Sequence, residues 1–172
     1  MKKSVLYVSF LLGSLFLFQS CDDDNTYQSE GPLMTQDITF YTFNTRTAEV
    51  IPADVNYTQY EGVIEVPSKV SFVTYEWQVT GIGDSAFCDC TKLISVVLPS
   101  TIQYVNKDAF TNCTALTTIV CKSVNPPTID PTAFKGCETD KITLYVALES
   151  VDAYKQNDVW KSLNVKAYAV EE

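Results

Sequence analysis

Six cysteines, at positions 21, 88, 90, 113, 121 and 137, are the residues of this 172-residue chain most able to do chemistry. A thiol can serve as nucleophile, zinc ligand or half of a disulfide, and each use makes a demand on its surroundings. A nucleophilic thiol or hydroxyl needs a base to take its proton, usually a histidine, and the sequence contains none. Its serines lack a Gly-x-Ser-x-Gly elbow, and Gly81-Ile82-Gly83 lacks the third glycine and the lysine of a phosphate loop. Zinc without histidine needs four convergent thiolates, generally in two close pairs. Cys90, Cys113 and Cys137 instead lie 23 and 24 residues apart. These patterns predict no enzyme, no metal site and no cofactor. A disulfide stays open: the five cysteines beyond Cys21 are odd in number, and Cys88, outside the regular spacing, is the candidate partner for Cys113.

Aromatic side chains offer the other chemistry available, stacking on sugars and anchoring protein interfaces. Tyr57, Tyr60, Phe72, Tyr75 and Trp77 fall close together in the sequence. Alternation at period two puts Val73, Tyr75, Trp77 and Val79 on one face of a strand, where a core would cover them. That leaves Tyr57, Tyr60 and Phe72 as the expected ligand-binding residues, with Trp160 assigned to the end cap.

The net charge of −9 becomes −11 once residues 1–20, with Lys2 and Lys3 and no acids, are set aside. Such a surface repels a phosphate backbone, so no nucleic-acid partner is expected, and it also repels anionic headgroups. Any membrane contact must come from an anchor. Lys2 and Lys3 precede an apolar run over residues 5–18, too short for a comfortable membrane span but suited to a secretory signal. Phe18-Gln19-Ser20-Cys21 resembles a bacterial lipobox, with Phe18 and Gln19 larger than the pattern prefers. The expectation is a signal peptide over 1–20, acylation of Cys21, and an acidic tether over 21–35. Asp22, Asp23 and Asp24 resemble the acidic tag that carries lipoproteins of Gram-negative anaerobes through the outer membrane to the cell surface.

The elements that must hold these residues follow from an internal repeat. Residues 79–99 and 102–122 carry the same residue types 23 positions apart: Ile82 matches Val105, Ala86-Phe87 matches Ala109-Phe110, Cys90 matches Cys113, and Val96 matches Ile119. A third unit has Ala133-Phe134 and Cys137 at a spacing of 24, with Ile142 and Leu144 expected 23 beyond Ile119 and Cys121. The Leu-x-x-Val-x-Leu pattern from Leu93 to Leu98 alternates at period two, one strand per unit with its apolar side inward. Ala-Phe fills the interior on the return. Cysteine behaves as a small apolar residue, so packing accounts for Cys90, Cys113, Cys121 and Cys137. No unit buries its own apolar face, so the units must stack and their ends must be covered.

Ile82-Gly83-Asp84-Ser85-Ala86-Phe87 and Cys90-x-x-Leu93-x-x-Val96-x-Leu98-Pro99 resemble the BspA-type leucine-rich repeats of bacterial surface proteins. Leu144-Tyr145-Val146 with Tyr154 and Trp160 resembles that family's C-terminal cap, Ala147 standing where the family has proline. Residues 60–67 through 80 resemble its N-terminal hairpin. The resemblance implies a mainly β fold with short helical or irregular returns. The domain over 36–172 would be a small leucine-rich-repeat solenoid of about three 23-residue repeats over 80–146. A β-hairpin cap over 36–79 would precede it, and a helix-and-strand cap over 147–172 would follow. Strands are expected at 38–43 and 48–51, with a second hairpin of 62–66 against 70–79 turned at Pro67-Ser68-Lys69. A helix capped by Ser150 should run to about Gln156 with Val151 and Tyr154 inward, before a last strand near 165–170. The function implied is that of an exported outer-membrane lipoprotein at the cell surface, a non-catalytic binding or adhesion module for a protein or glycan ligand. The alternative is a structural subunit of a cell-envelope complex, with the repeats as assembly surface.

Overall fold

The computed structural model describes residues 31–35, 38–53 and 60–168. Cys21, Asp22, Asp23, Asp24 and Tyr57 lie outside the described residues. Within them the chain is mainly β: β1 (Gly31–Thr35), β2 (Ile38–Thr42), β3 (Thr47–Ile51), β4 (Gly62–Glu65), β5 (Lys69–Phe72), β6 (Tyr75–Ile82), β7 (Leu93–Leu98), β8 (Tyr104–Val105), β9 (Thr118–Cys121), β10 (Thr128–Ile129), β11 (Thr143–Val146) and β12 (Asn164–Ala167). The described α-helix is the short α1 (Val151–Gln156).

The strands form two sheets whose inner faces share one apolar core. One runs β1-β2-β3-β6-β8-β10, with β5 also paired to β6, and the other runs β12-β11-β9-β7-β4. From β6 to β11 the chain alternates between them, so strands of successive turns pair in parallel, Val96 beside Ile119 and Ile82 beside Val105. The returning segments are stitched together by their own backbone. Phe87 N donates to Ala109 O and Phe110 N to Ala133 O, both at 2.8 Å. Each return turns through left-handed residues at matching positions: Ser85 and Asp108, then Asp89, Asn112 and Gly136, with φ between 54° and 75°. Asn, Asp and Gly tolerate that region best, which explains the residue types there.

The returns place the phenylalanines in register. Phe110 is fully buried and stacks on Phe87 at 5.1 Å and on Phe134 at 5.4 Å between ring centroids, with interplanar angles of 8° and 13°. Trp160 and Tyr154 pack edge-on behind Phe134, as expected for core residues.

Four expectations are corrected. The segment over 62–66 does not pair with 70–79: β4 lies parallel to β7 in the other sheet, and the hairpin is β5 with β6, turned at Val73-Thr74. Val73, with φ 56°, is the tip of that turn and 81% exposed, not part of a buried face. In the third unit Leu144, not Ile142, pairs with Ile119, 25 residues on; a 3-10 turn at Thr139–Lys141 takes up the extra length. Ser150 begins α1 without a side-chain capping bond, and its buried hydroxyl meets no hydrogen-bond partner among the described residues. Tyr154 does face inward, its hydroxyl 2.9 Å from the Ser123 carbonyl.

Candidate functional site

The expected aromatic site does not assemble. Tyr60 is 4% exposed, its ring 5.0 Å from that of Phe87. Its hydroxyl donates to Ile51 O and accepts from Thr39 N, both at 3.0 Å, so it ties the β2–β3 hairpin to the core. Phe72 is half-buried against the same core at the end of β5. A tyrosine reads the same in sequence whether its hydroxyl meets water or a strand end, and only the tertiary contact decides.

The five described cysteines are free thiols. Burial is the main cause raising Cys88, Cys90, Cys113, Cys121 and Cys137 above the ordinary thiol value, which keeps them protonated at neutral pH. Protonated thiols are poor nucleophiles but can donate. Cys113 Sγ lies 3.0 Å from Phe87 O and Cys137 Sγ 3.0 Å from Phe110 O, each capping a carbonyl of the turn before. These cysteines therefore do more than fill space. No group of three Cys, Asp or Glu side chains gathers among the described residues to hold a metal ion.

A groove runs along the corners where the chain passes from one sheet to the other. Three adjoining depressions of about 320, 390 and 480 Å³ make it up. The first is walled by Arg46, Lys69, Glu76 and Gln78; the second by Gln103, Ser123 and Asn125; the third by Glu65, Pro67 and Lys122. They meet at Ser68, Ser100 and Thr101, each shared between two of them. The repeat produces this lining, since Ser100 and Ser123 stand 23 residues apart at successive corners. Thr101 is fixed by donating to Val79 O at 2.5 Å, and Ser123 by donating to Asn125 O at 2.8 Å. The walls thus carry hydroxyl, amide and charged groups on packed strands, beside Pro67, Pro99, Pro126 and Pro127, suited to an extended ligand rich in hydrogen-bonding groups. Sequence reasoning missed these residues because isolated Ser and Thr carry no signature. The 23-residue recurrence of serine after Leu98-Pro99 and Cys121-Lys122 was the available signal.

A second polar feature lies on the outer face of the first sheet. Tyr104 crosses over Gly81, where a Cβ would fall 2.0 Å from its ring, and its hydroxyl donates to Glu49 at 3.1 Å. Burial raises the Glu49 carboxyl above its ordinary value, opposed by the Tyr104 bond and aided by the Asp84 charge. Burial, then Glu49, pushes the Tyr104 phenol up to about 12. The folded state therefore binds the Glu49 proton more tightly than the unfolded chain does, so the ionised carboxylate lowers stability above its folded pKa and that loss fades as pH falls toward 4.5. Glu49→Gln should melt higher than wild type at pH 7, with the gap closing by pH 4; a gap that widens on acidification would contradict this.

The other sheet carries a row of side chains across its outer face. Glu65, Val97, Val120, Tyr145 and Lys166 stand side by side across its five strands.

The stacked strands, the Ala-Phe returns and their left-handed turns also agree with a known repeat. The model of the BspA type leucine rich repeat region (6 copies) matches residues 67–166. The chain belongs to that family. Among solved structures, this BspA-type protein is similar to a leucine rich cell surface protein from Faecalibacterium prausnitzii A2-165, at 25% identity over 77% of this chain with a TM-score of 0.52. The match spans 37% of that protein's own length. It is also similar in fold to a leucine-rich repeat protein from Bacteroides capillosus ATCC 29799, at 18% identity over 68% of this chain and 99% of that one, with a TM-score of 0.50. Comparison with curated proteins gave no match.

Proposed function

We propose that this BspA-type protein is a non-catalytic binding module at the cell surface, held there by a lipid on Cys21, with its corner groove taking a glycan. The continuous groove meeting at Ser68, Ser100 and Thr101 carries the reading. Closely spaced hydroxyls and amides on packed strands are pre-organised for a sugar's hydroxyls, which limits the entropy lost on binding. The cell-surface description of the relative from F. prausnitzii supports the location, and the protonated thiols and absent histidine support a role without catalysis. In this reading about three repeats over 80–146 and the preceding segment 36–79 line the groove together, the segment 147–172 covers the other end, and Asp22, Asp23 and Asp24 direct the lipidated chain outward.

A glycan array probed with the full chain and with Ser100→Trp tests the groove. Ser100 is exposed, so an indole there fills the junction without entering the core. Lost binding with an unchanged melting temperature is expected, and undiminished binding by the variant would refute the groove. Cys21→Ala is expected to leave a folded protein that no longer sediments with membranes, since in this reading the acyl chains on Cys21 supply the whole attachment. A variant still in the membrane fraction after signal removal would contradict the anchor.

A second reading, a subunit of an envelope complex, is favoured by the row of Val97, Val120 and Tyr145, which would meet a flat partner surface.

A further inference from the structure

Arg46 is the only arginine in a chain of net charge −9, and it stands where arginine is disfavoured. Its φ of 63° lies in the left-handed region, which glycine or asparagine occupies with less strain. That conformation closes the turn between β2 and β3, with Arg46 N donating to Phe43 O at 3.2 Å and Arg46 O accepting from Gln78 N at 2.9 Å. The side chain thereby reaches the lip of the groove, beside Ser68, Gln78 and Thr101. There the guanidinium lies over the Tyr75 ring, 4.8 Å from its centroid. That cation–π contact uses the ring-facing side of the guanidinium, and among the described residues no side chain or carbonyl accepts from its N–H groups. No carboxylate among the described residues forms an ion pair with it. Glu76, the acid in the same depression, is held by Lys69 at 2.8 Å.

The charge along the groove is opposite in sign to that of the chain. Arg46, Lys69 and Lys122 face Glu65 and Glu76, three cations against two anions, an excess of one positive charge where the whole chain carries −9. At physiological salt, charges more than about 8 Å away are largely screened, so a ligand in the groove meets this local excess.

We infer that the groove takes an acidic saccharide, a chain of uronic-acid units whose carboxylate meets the free edge of Arg46. This rests on the glycan reading above. A planar carboxylate matches the guanidinium fork with two parallel hydrogen bonds, while the sugar hydroxyls meet Ser68, Gln78, Ser100 and Thr101. An acidic peptide fits less well, since acidic motifs are read by clusters of arginines and the groove carries one.

The test is calorimetric titration of the full chain in detergent with tetragalacturonate and with its fully methyl-esterified form, which keeps most of the sugar chemistry and removes the charge. The acid should bind about tenfold or more tighter than the ester, and this preference should shrink as salt rises. Arg46→Gln should abolish the preference, and Arg46→Lys, with charge but no fork, should keep only part of it. Arg46→Gly relieves the backbone strain, so it should fold at least as well as wild type while losing the preference. Equal affinity for acid and ester would overturn the inference and leave the groove reading standing, as would an acid preference that survives Arg46→Gln. Binding of neither tetramer would also overturn it, and the groove reading would fall with it only if neutral glycans on the array are silent too.

Discussion

Phe110→Ala is expected to lower the melting temperature by about 10–20 °C in a single cooperative step. Truncating a buried phenylalanine costs about 3–5 kcal/mol, and in a domain of this size each kcal/mol moves the midpoint by a few degrees. Phe110 stacks on both Phe87 and Phe134, so its removal loosens the turns on each side together. Stability in such stacks comes from contacts between adjacent turns, and with so few turns neither half retains enough core to stay folded alone. Phe134→Ala should cost less, since Phe134 is 6% exposed and Phe110 fully buried. Differential scanning calorimetry of both variants checks the order. A nearly neutral Phe110→Ala, or two separate transitions, would contradict the stacked register.

Trp160→Ala should be comparably severe. The indole is fully buried, touches Phe134 and Tyr154 edge-on, and donates from Nε1 to Pro127 O at 2.9 Å. Its loss opens a cavity and leaves a buried carbonyl without its donor, about 3–5 kcal/mol for the first and 1–3 for the second. Trp160→Phe separates the two effects, since it keeps a ring but not the N–H. It should recover much of the lost stability, measured by urea denaturation. Equal destabilisation by Ala and Phe would mean that the Pro127 bond outweighs the packing.

How much of this was legible beforehand depended on whether a residue's role was periodic. The Ala-Phe and Cys positions recur every 23 or 24 residues, and each became a buried side chain in line with its neighbours, except Cys137, which is half-buried. The pairing of 38–43 with 48–51 was visible as two apolar runs joined by a short polar turn. Non-periodic decisions were not legible. Gly62–Glu65 and Lys69–Phe72 both read as strands, but the sheet each joins depends on the corner at Pro67-Ser68, which sends the chain across rather than back. The third unit's register slipped because the 3-10 turn at Thr139–Lys141 adds length without altering the apolar pattern. Tyr60 misled for a different reason, as its hydroxyl is satisfied by Thr39 and Ile51, far from it in sequence. The groove stayed hidden because its serines and threonines become a site only when successive corners align.

The most direct test of the groove as the binding site is amide hydrogen exchange on the full chain with and without the glycan that the array selects. Slowed exchange is expected in the segments 67–69, 99–103 and 123–127, which carry Ser68, Ser100, Thr101 and Asn125, with residues 95–97, 118–120 and 143–145 unchanged. Protection of 95–97, 118–120 and 143–145 instead, with the corners unaffected, would place the ligand on the outer face of the five-stranded sheet and contradict the account.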